Sequence, residues 1–170
     1  MERWQNKLPL YNLRLSNLSA AIIRPQLPEL PRRVKNGARN HDHVAGQLND
    51  CPWFNVPAPL GPEKRAPDSI QFNLVEMSDQ EARDFADSSV ALGLKVQIFG
   101  QSKDNARAFW NWAFLEDQQD LPMTRAMLMR ACDVRLPARL SLDECDVIAE
   151  VLLSAAGRVM TMDLPDRTQN

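Results

Sequence analysis

Long apolar runs are missing from this 170-residue chain. None approaches the roughly 18 consecutive apolar residues that a bilayer crossing needs. The opening Met1-Glu2-Arg3-Trp4-Gln5 leads into no secretory apolar core, so the chain reads as soluble and cytoplasmic, with no membrane partner. An excess of positive charge is missing as well. With 20 basic against 22 acidic residues the net charge is -2, which gives no field to hold a phosphate backbone and excludes nucleic acid as a partner. Cysteine is scarce: Cys51, Cys132 and Cys145 are odd in number, widely spaced and free of any Cys-x-x-Cys pair, so they read as reduced structural thiols. Histidine is scarcer still. His41 and His43 lie two apart, which on a helix points them to different faces, and no further ligands at metal spacing accompany them, so no metal site is expected. What is present is an apolar content of 44%, enough for one domain with a real core.

The first fifteen residues hold Pro9, Tyr11 and Asn12 without a sustained period and read as an irregular lead-in. From Ser16, a candidate N-cap, Leu18, Ala21 and Ile22 recur at helical spacing. Pro25, Pro28 and Pro31 then interrupt the pattern, and an interior proline costs a helix about 3 kcal/mol or more, so a kink or break is expected before a second helix over about residues 32–48. Residues 51–67 carry five prolines and suit loop structure with one edge strand. Ile70, Phe72 and Leu74 alternate with Gln71 and Asn73, the period of a half-buried strand.

Ser78-Asp79-Gln80-Glu81 is a capping box, and the helix it opens places Ala82, Phe85, Ala86 and Val90 on one face before Gly93 stops it. Val96 and Ile98 alternate in another strand. Residues 99–120 are irregular and include the run Phe109-Trp110-Asn111-Trp112-Ala113-Phe114. Leu121-Pro122 should open a helix through Cys132, followed by a short strand over residues 134–136. Ser141-Leu142-Asp143-Glu144 is a second capping box, with Cys145, Ile148, Ala149 and Leu152 striping a last helix that should end near Gly157. The expected architecture is α+β, a short, mostly antiparallel sheet covered by helices.

Tyr11-Asn12-Leu13-Arg14-Leu15-Ser16-Asn17-Leu18, with Ala20-Ala21 and Gln26-Leu27, resembles a segment of the DegT-like nucleotide-sugar aminotransferases, written there as Asn-x-Arg, a small polar residue, Leu-x-Ala-Ala and then Gln-Leu. Leu136-Pro137 followed by Leu140-Ser141-Leu142-Asp143-Glu144 resembles that family's closing segment, and Gly93-Leu94 its Gly-Ile strand start. The resemblance runs from about Tyr11 to Ala156. It implies the small C-terminal domain of a fold-type I enzyme that uses pyridoxal 5'-phosphate, working as a homodimer. The implied organisation is an interface loop over residues 1–15, the small domain over residues 16–157 and a loose tail over residues 158–170.

By the same resemblance Asn12 donates its side-chain amide to the cofactor phosphate across a subunit interface, and Arg14 faces an anionic group of the substrate. An amide gives phosphate directed donors without added charge, and a guanidinium meets an acid with a planar fork. The plainer reading is a turn asparagine and a solvated arginine. Arg107 and Trp110, with Trp112, are candidate substrate-binding residues, since arginine pairs with acids and flat rings stack; the plainer reading is packing against the sheet. The sequence departs from the family in having Phe99-Gly100-Gln101 and no tyrosine after Tyr11, and in the three prolines at 25, 28 and 31.

Amino transfer on this cofactor needs a lysine that holds it covalently and shuttles a proton. The lysines here are Lys7, Lys35, Lys64, Lys95 and Lys103, none in the family's Ser-x-x-Lys setting, and Lys7 lies too near Asn12 to be the equivalent. The expectation is therefore a catalytically inactive portion of an enzyme that, when complete, moves an amino group from an amino acid to a keto sugar or related ketone. Its partner would be a missing N-terminal cofactor domain, and pyridoxal phosphate would not bind stably to this chain alone. The alternative is a stand-alone, non-catalytic α+β binding or assembly domain.

Overall fold

The structure, a computed structural model, describes residues 16–103, 105–115 and 119–162. Its centre is a four-stranded antiparallel sheet in the order β1-β2-β4-β3. β2 is Ser69–Leu74, the strand expected from its period of two. On its outer side lies β1, Phe54–Asn55, the single edge strand of the proline-rich stretch. On its inner side lies β4, Ala131–Arg135, which in turn pairs with β3, Gln97–Ile98.

One face of this sheet is apolar. Ile70 lies opposite Val134, Phe72 and Ile98 lie on either side of Cys132, and Leu74 lies opposite Phe54 of β1; all are buried. Three helices cover them. α2 (Leu30–Asn49) contributes Val44 and Leu48, α3 (Asp79–Ala91) contributes Ala82 and Phe85, and α5 (Leu142–Met162) contributes Cys145, Ala149, Leu152 and Ala156. α5 packs between the other two. Phe54, Phe72 and Phe85 meet edge-on at the centre, with centroids 5.4 to 6.3 Å apart, the arrangement that ring quadrupoles favour.

Local signals account for most helix boundaries. The Ser16 hydroxyl accepts from the Ser19 backbone at 3.1 Å and starts α1, Asn17–Ile23. The prolines convert residues 24–29 to a 3-10 turn before α2 begins, so the expected break is present. Both capping boxes are formed: Ser78 with Glu81 ahead of α3, and Ser141 with Glu144 ahead of α5. Gly93 ends α3 at a φ of 93°, a conformation that costs residues with a Cβ.

Three sequence expectations need correction. The helix opened by Leu121-Pro122, here α4 (Pro122–Leu128), does not reach Cys132, because residues 131–135 are drawn into the middle of the sheet. There Cys132 and Val134 face Phe72 and Ile70 and both strand edges are hydrogen-bonded, which outweighs any local helical preference. Val90 is exposed, and Ser89 takes the buried position, its hydroxyl donating to the Phe85 carbonyl at 2.8 Å. α5 continues past Gly157 to Met162, since Ala155, Ala156 and Val159 all find buried positions on its inner stripe.

Two further contacts fix α2 against the sheet. Gly37 lies so close to the loop before β2 that a Cβ there would sit 2.4 Å from the Pro67 carbonyl oxygen. Asn40, fully buried, donates to the carbonyls of Pro137 and Leu140 at 3.3 and 3.1 Å and accepts from Arg39, so one amide ties α2 to the Leu-Pro turn that precedes α5.

Candidate functional site

The second face of the sheet carries polar side chains. A rung of three, Gln71, Asp133 and Gln97, crosses β2, β4 and β3, flanked by Ser69 opposite Arg135 on one side and Asn73 opposite Ala131 on the other. Polar residues on alternate positions are what a sheet shows where no helix packs.

Asp133 is the centre of this face. It is 9% exposed, and its Oδ1 accepts from the Ser69 hydroxyl at 2.8 Å and from the Gln71 amide at 3.2 Å. Arg107 stands over it, with Nη1 3.7 Å from the same oxygen. The guanidinium also lies over Phe99, its Cζ 4.4 Å from the ring centroid. Residues 105–112 form the turns that hold Arg107 in place. Its backbone N–H donates to the Asn105 side chain at 2.9 Å, and Asn111 reaches back to the carbonyls of Ser102 and Asn105.

This arrangement suits a polar, anionic or hydroxyl-bearing ligand. Arg107 is half-exposed, stacked and oriented, which reserves its fork for a directed contact. Gln71 and Gln97 are exposed beside it and bring amide donors and acceptors to the same surface.

Of the residues singled out by sequence, Asn12 and Arg14 lie outside the described residues. Arg107 does stand at the polar face. Trp110 takes a different companion: the Arg125 guanidinium of α4 lies 4.2 Å above its ring, and Phe109 meets it edge-on. Trp112 stacks with Phe114 and donates its indole N–H to the Ala106 carbonyl. The aromatic run is thus largely occupied with its own segment and α4. Asp133 was missed in the sequence because it was placed between a helix and a strand; the alternation of Cys132 and Val134 around it was the available signal.

Cys132 and Cys145 are buried, burial pushes both thiols up, and all three cysteines are free. Among the described residues no cluster could hold a metal ion, and no helix is long and apolar enough to cross a membrane.

The element order, the four-stranded antiparallel sheet and its single helical layer are those of the small C-terminal domain of a fold-type I aminotransferase. The profile of the DegT/DnrJ/EryC1/StrS aminotransferase family matches residues 1–153, and the chain belongs to that family. Among solved structures it is similar to Spr1654 of Streptococcus pneumoniae, assigned as a sugar aminotransferase, with a TM-score of 0.74 and 17% identity over 93% of this chain and 39% of that one. PseC of Helicobacter pylori, an aminotransferase of pseudoaminic acid biosynthesis, gives 0.71 and 17% over 87% and 39%. The E. coli GDP-4-keto-6-deoxy-D-mannose-3-dehydratase with bound hydrated pyridoxal phosphate gives 0.67 and 19% over 85% and 37%. The chain therefore spans about two fifths of each of these proteins. A comparison with curated protein sequences gives no match.

Pyridoxal phosphate is the cofactor this family implies, and the described residues do not fit the role of its covalent anchor. Lys35, Lys64, Lys95 and Lys103 are all exposed, whereas a lysine that forms a Schiff base is ordinarily activated by a desolvated or cationic pocket. No step through the cofactor is assigned to them.

Proposed function

We propose that this chain is the substrate-side portion of a sugar aminotransferase, with the cofactor and its lysine supplied by polypeptide outside it. The complete assembly, a homodimer, would transfer an amino group from an amino acid such as glutamate to a keto sugar or related ketone. The observation that carries this reading is the polar face, where Arg107 and Asp133 are held together on a domain of the family. In it Arg107 receives an anionic group of the substrate, Asp133 fixes Arg107 and offers an acceptor to a hydroxyl, and Trp110 forms part of the neighbouring wall. Asn12 would give its amide to the cofactor phosphate and Arg14 would face a substrate anion, both across a subunit interface. The chain alone would be inactive and would not retain pyridoxal phosphate.

The test is reconstitution. The coding sequence ahead of the Met1 codon is read for a Ser-x-x-Lys and a glycine-rich phosphate loop, and the polypeptide it encodes is produced together with this chain. Amino transfer from glutamate to a keto sugar should need both parts and fall roughly tenfold or more in Arg107→Ala. Elimination without amino transfer would move the reading towards the dehydratase type that shares the fold. A second reading, a stand-alone binding or assembly domain, is favoured by the exposure of every described lysine. It would be supported by a stop codon directly upstream together with an independent promoter. An absorption band from pyridoxal phosphate that survives dialysis of the chain alone, and disappears in Lys7→Ala, would overturn the inactive-alone assignment.

A further inference from the structure

The ladder between β1 and β2 stops short, and the cause is a proline. Val75 donates to the Trp53 carbonyl at 2.9 Å and Asn55 lies opposite Asn73, so the main-chain groups of the odd-numbered residues of β2 point toward β1. Those of the even-numbered residues point toward β4, in line with the bond from Leu74 to the Arg130 carbonyl at 3.0 Å. The next pair of the outer ladder would join Gln71 to Pro57, which has no N–H to give. The Pro57 carbonyl is engaged elsewhere, accepting from the Arg65 guanidinium at 3.1 Å. Among the described residues, Ser69 and Gln71 therefore have no main-chain partner on their outer side.

This free edge opens on a cavity of about 460 Å³, within the roughly 300–1,000 Å³ typical of ligand sites. Ser69 and Gln71 line it, together with residues 63–67 and His41 of α2. The loop is braced from within: Arg65 pairs with Glu63 at 3.2 Å, and Glu63 accepts from the Leu60 N–H at 2.9 Å. A single extended chain can enter between that loop and β2, where the edge of a second folded sheet would meet the loop. His41 points to an occupant. Its side chain is only 9% exposed, yet its one hydrogen-bond contact is Nδ1 to Asp42 at 3.4 Å, which leaves Nε2 without a protein partner. The charges in the lining point to the kind of occupant. Glu63 is paired with Arg65, and Asp68 with Arg135 at 2.7 Å, whereas Lys64 is exposed and has no carboxylate at ion-pair distance among the described residues.

We propose that the free edge of β2 takes up an extended acidic segment of a partner protein as an added strand, its main chain exchanging hydrogen bonds with Ser69 and Gln71 and its carboxylates turned toward Lys64 and His41. About three residues of such a segment span the edge, at roughly 3.3 Å each. Main-chain bonds supply the attachment and the cation selects the side chains, the division of labour usual in strand addition. The proposal does not depend on what Arg107 binds.

The site is tested on the full chain with a capped, fluorescein-labelled pentapeptide of alternating valine and glutamate, followed by anisotropy and by amide hydrogen exchange. The peptide should bind saturably. In the free chain the amides of Ser69 and Gln71 should exchange faster than those of Ile70 and Phe72, which face β4, and at saturation they should slow by roughly tenfold or more. The same peptide with its alternate amides N-methylated should not bind. Lys64→Glu should weaken binding roughly tenfold or more and favour a peptide with lysine in place of glutamate. Gln71→Pro removes one outward N–H, leaves the bonds of β2 to β4 in place, and should abolish binding; the N-methylated peptide makes the same test without altering the fold. The proposal is overturned if the peptide does not bind, if the N-methylated form binds equally well, or if Lys64→Glu leaves affinity and charge preference unchanged. It is also overturned if Ser69 and Gln71 are already protected in the free chain, since a second copy or another segment of the chain would then cover the edge.

Discussion

The two faces of the sheet are built from the same three strands, residue by residue in alternation, yet they serve opposite ends. Ile70, Phe72, Cys132, Val134 and Ile98 lie under α2, α3 and α5, whereas Gln71, Asp133 and Gln97, their immediate neighbours in sequence, form a rung of polar groups on the other side. The first face accounts for the stability of the domain. The second holds side chains in fixed positions without filling a core, as a wall of a binding site must. A single-residue slip in register would exchange the two, so packing of the first face is what positions the second.

The sharpest break of this comparison is one substitution on each face. Phe72→Ala removes a ring that is 1% exposed and edge-on to Phe54 and Phe85, and it should cost about 3–5 kcal/mol in denaturant unfolding. Gln71→Ala, one residue away, should change stability by less than about 0.5 kcal/mol while weakening the hold on Asp133. Comparable costs at the two positions would mean that the polar face is also a packing surface.

Two substitutions on α2 probe how the helical layer is fastened to the apolar face. Asn40→Ala removes the side-chain donor of the Pro137 carbonyl and one of the two side-chain donors of the Leu140 carbonyl, Arg39 remaining, and should cost about 1–3 kcal/mol. Gly37→Ala brings a Cβ against the Pro67 carbonyl oxygen, where the neighbour is backbone and cannot turn aside. It should also cost about 1–3 kcal/mol, outweighing the roughly 1 kcal/mol that alanine gains over glycine inside a helix. A stabilised Gly37→Ala variant would show that the loop before β2 yields, and that α2 does not fix the start of that strand.

The same contrast explains what could be read from the chain before its structure. Capping boxes at Ser78 and Ser141, the alternation of Ile70, Phe72 and Leu74, and the stop at Gly93 are local devices, complete within a few residues, and each appears where its residues stand. β4 is different in kind. Its five residues become a central strand because β2 and β3, distant in sequence, offer edges on both sides, and the alternation of Cys132 and Val134 is too short by itself to announce that. Misplacing it hid Asp133 and with it the centre of the candidate site. Arg107 was legible as a chemical group, but not its footing on Phe99 and Asp133, which comes from the fold. The apolar spacing of Leu18 and Ile22 was also legible, and both side chains are exposed on α1 in this chain.

The smallest effect sharpens the comparison at the outer side of the helical layer, where α2 and α5 meet water. There His43 and Gln47 both donate to the Asp146 carboxylate, at 2.6 and 2.7 Å. These hydrogen bonds, His43's first, hold the Asp146 carboxyl below the usual aspartate value. A carboxyl depressed in the folded state stabilises the fold above its unfolded value of about 3.9 and loses that contribution as pH falls through its lower folded value. The expected result is therefore a small Tm difference between the parent chain and Asp146→Asn near neutral pH that closes as the pH drops below about 4. The pair is exposed, so the difference should be far smaller than that for Phe72→Ala and should shrink with added salt. A difference that persists unchanged at the acid end would mean that Asp146 acts through packing instead of charge, and the seam between α2 and α5 would then belong with the apolar face.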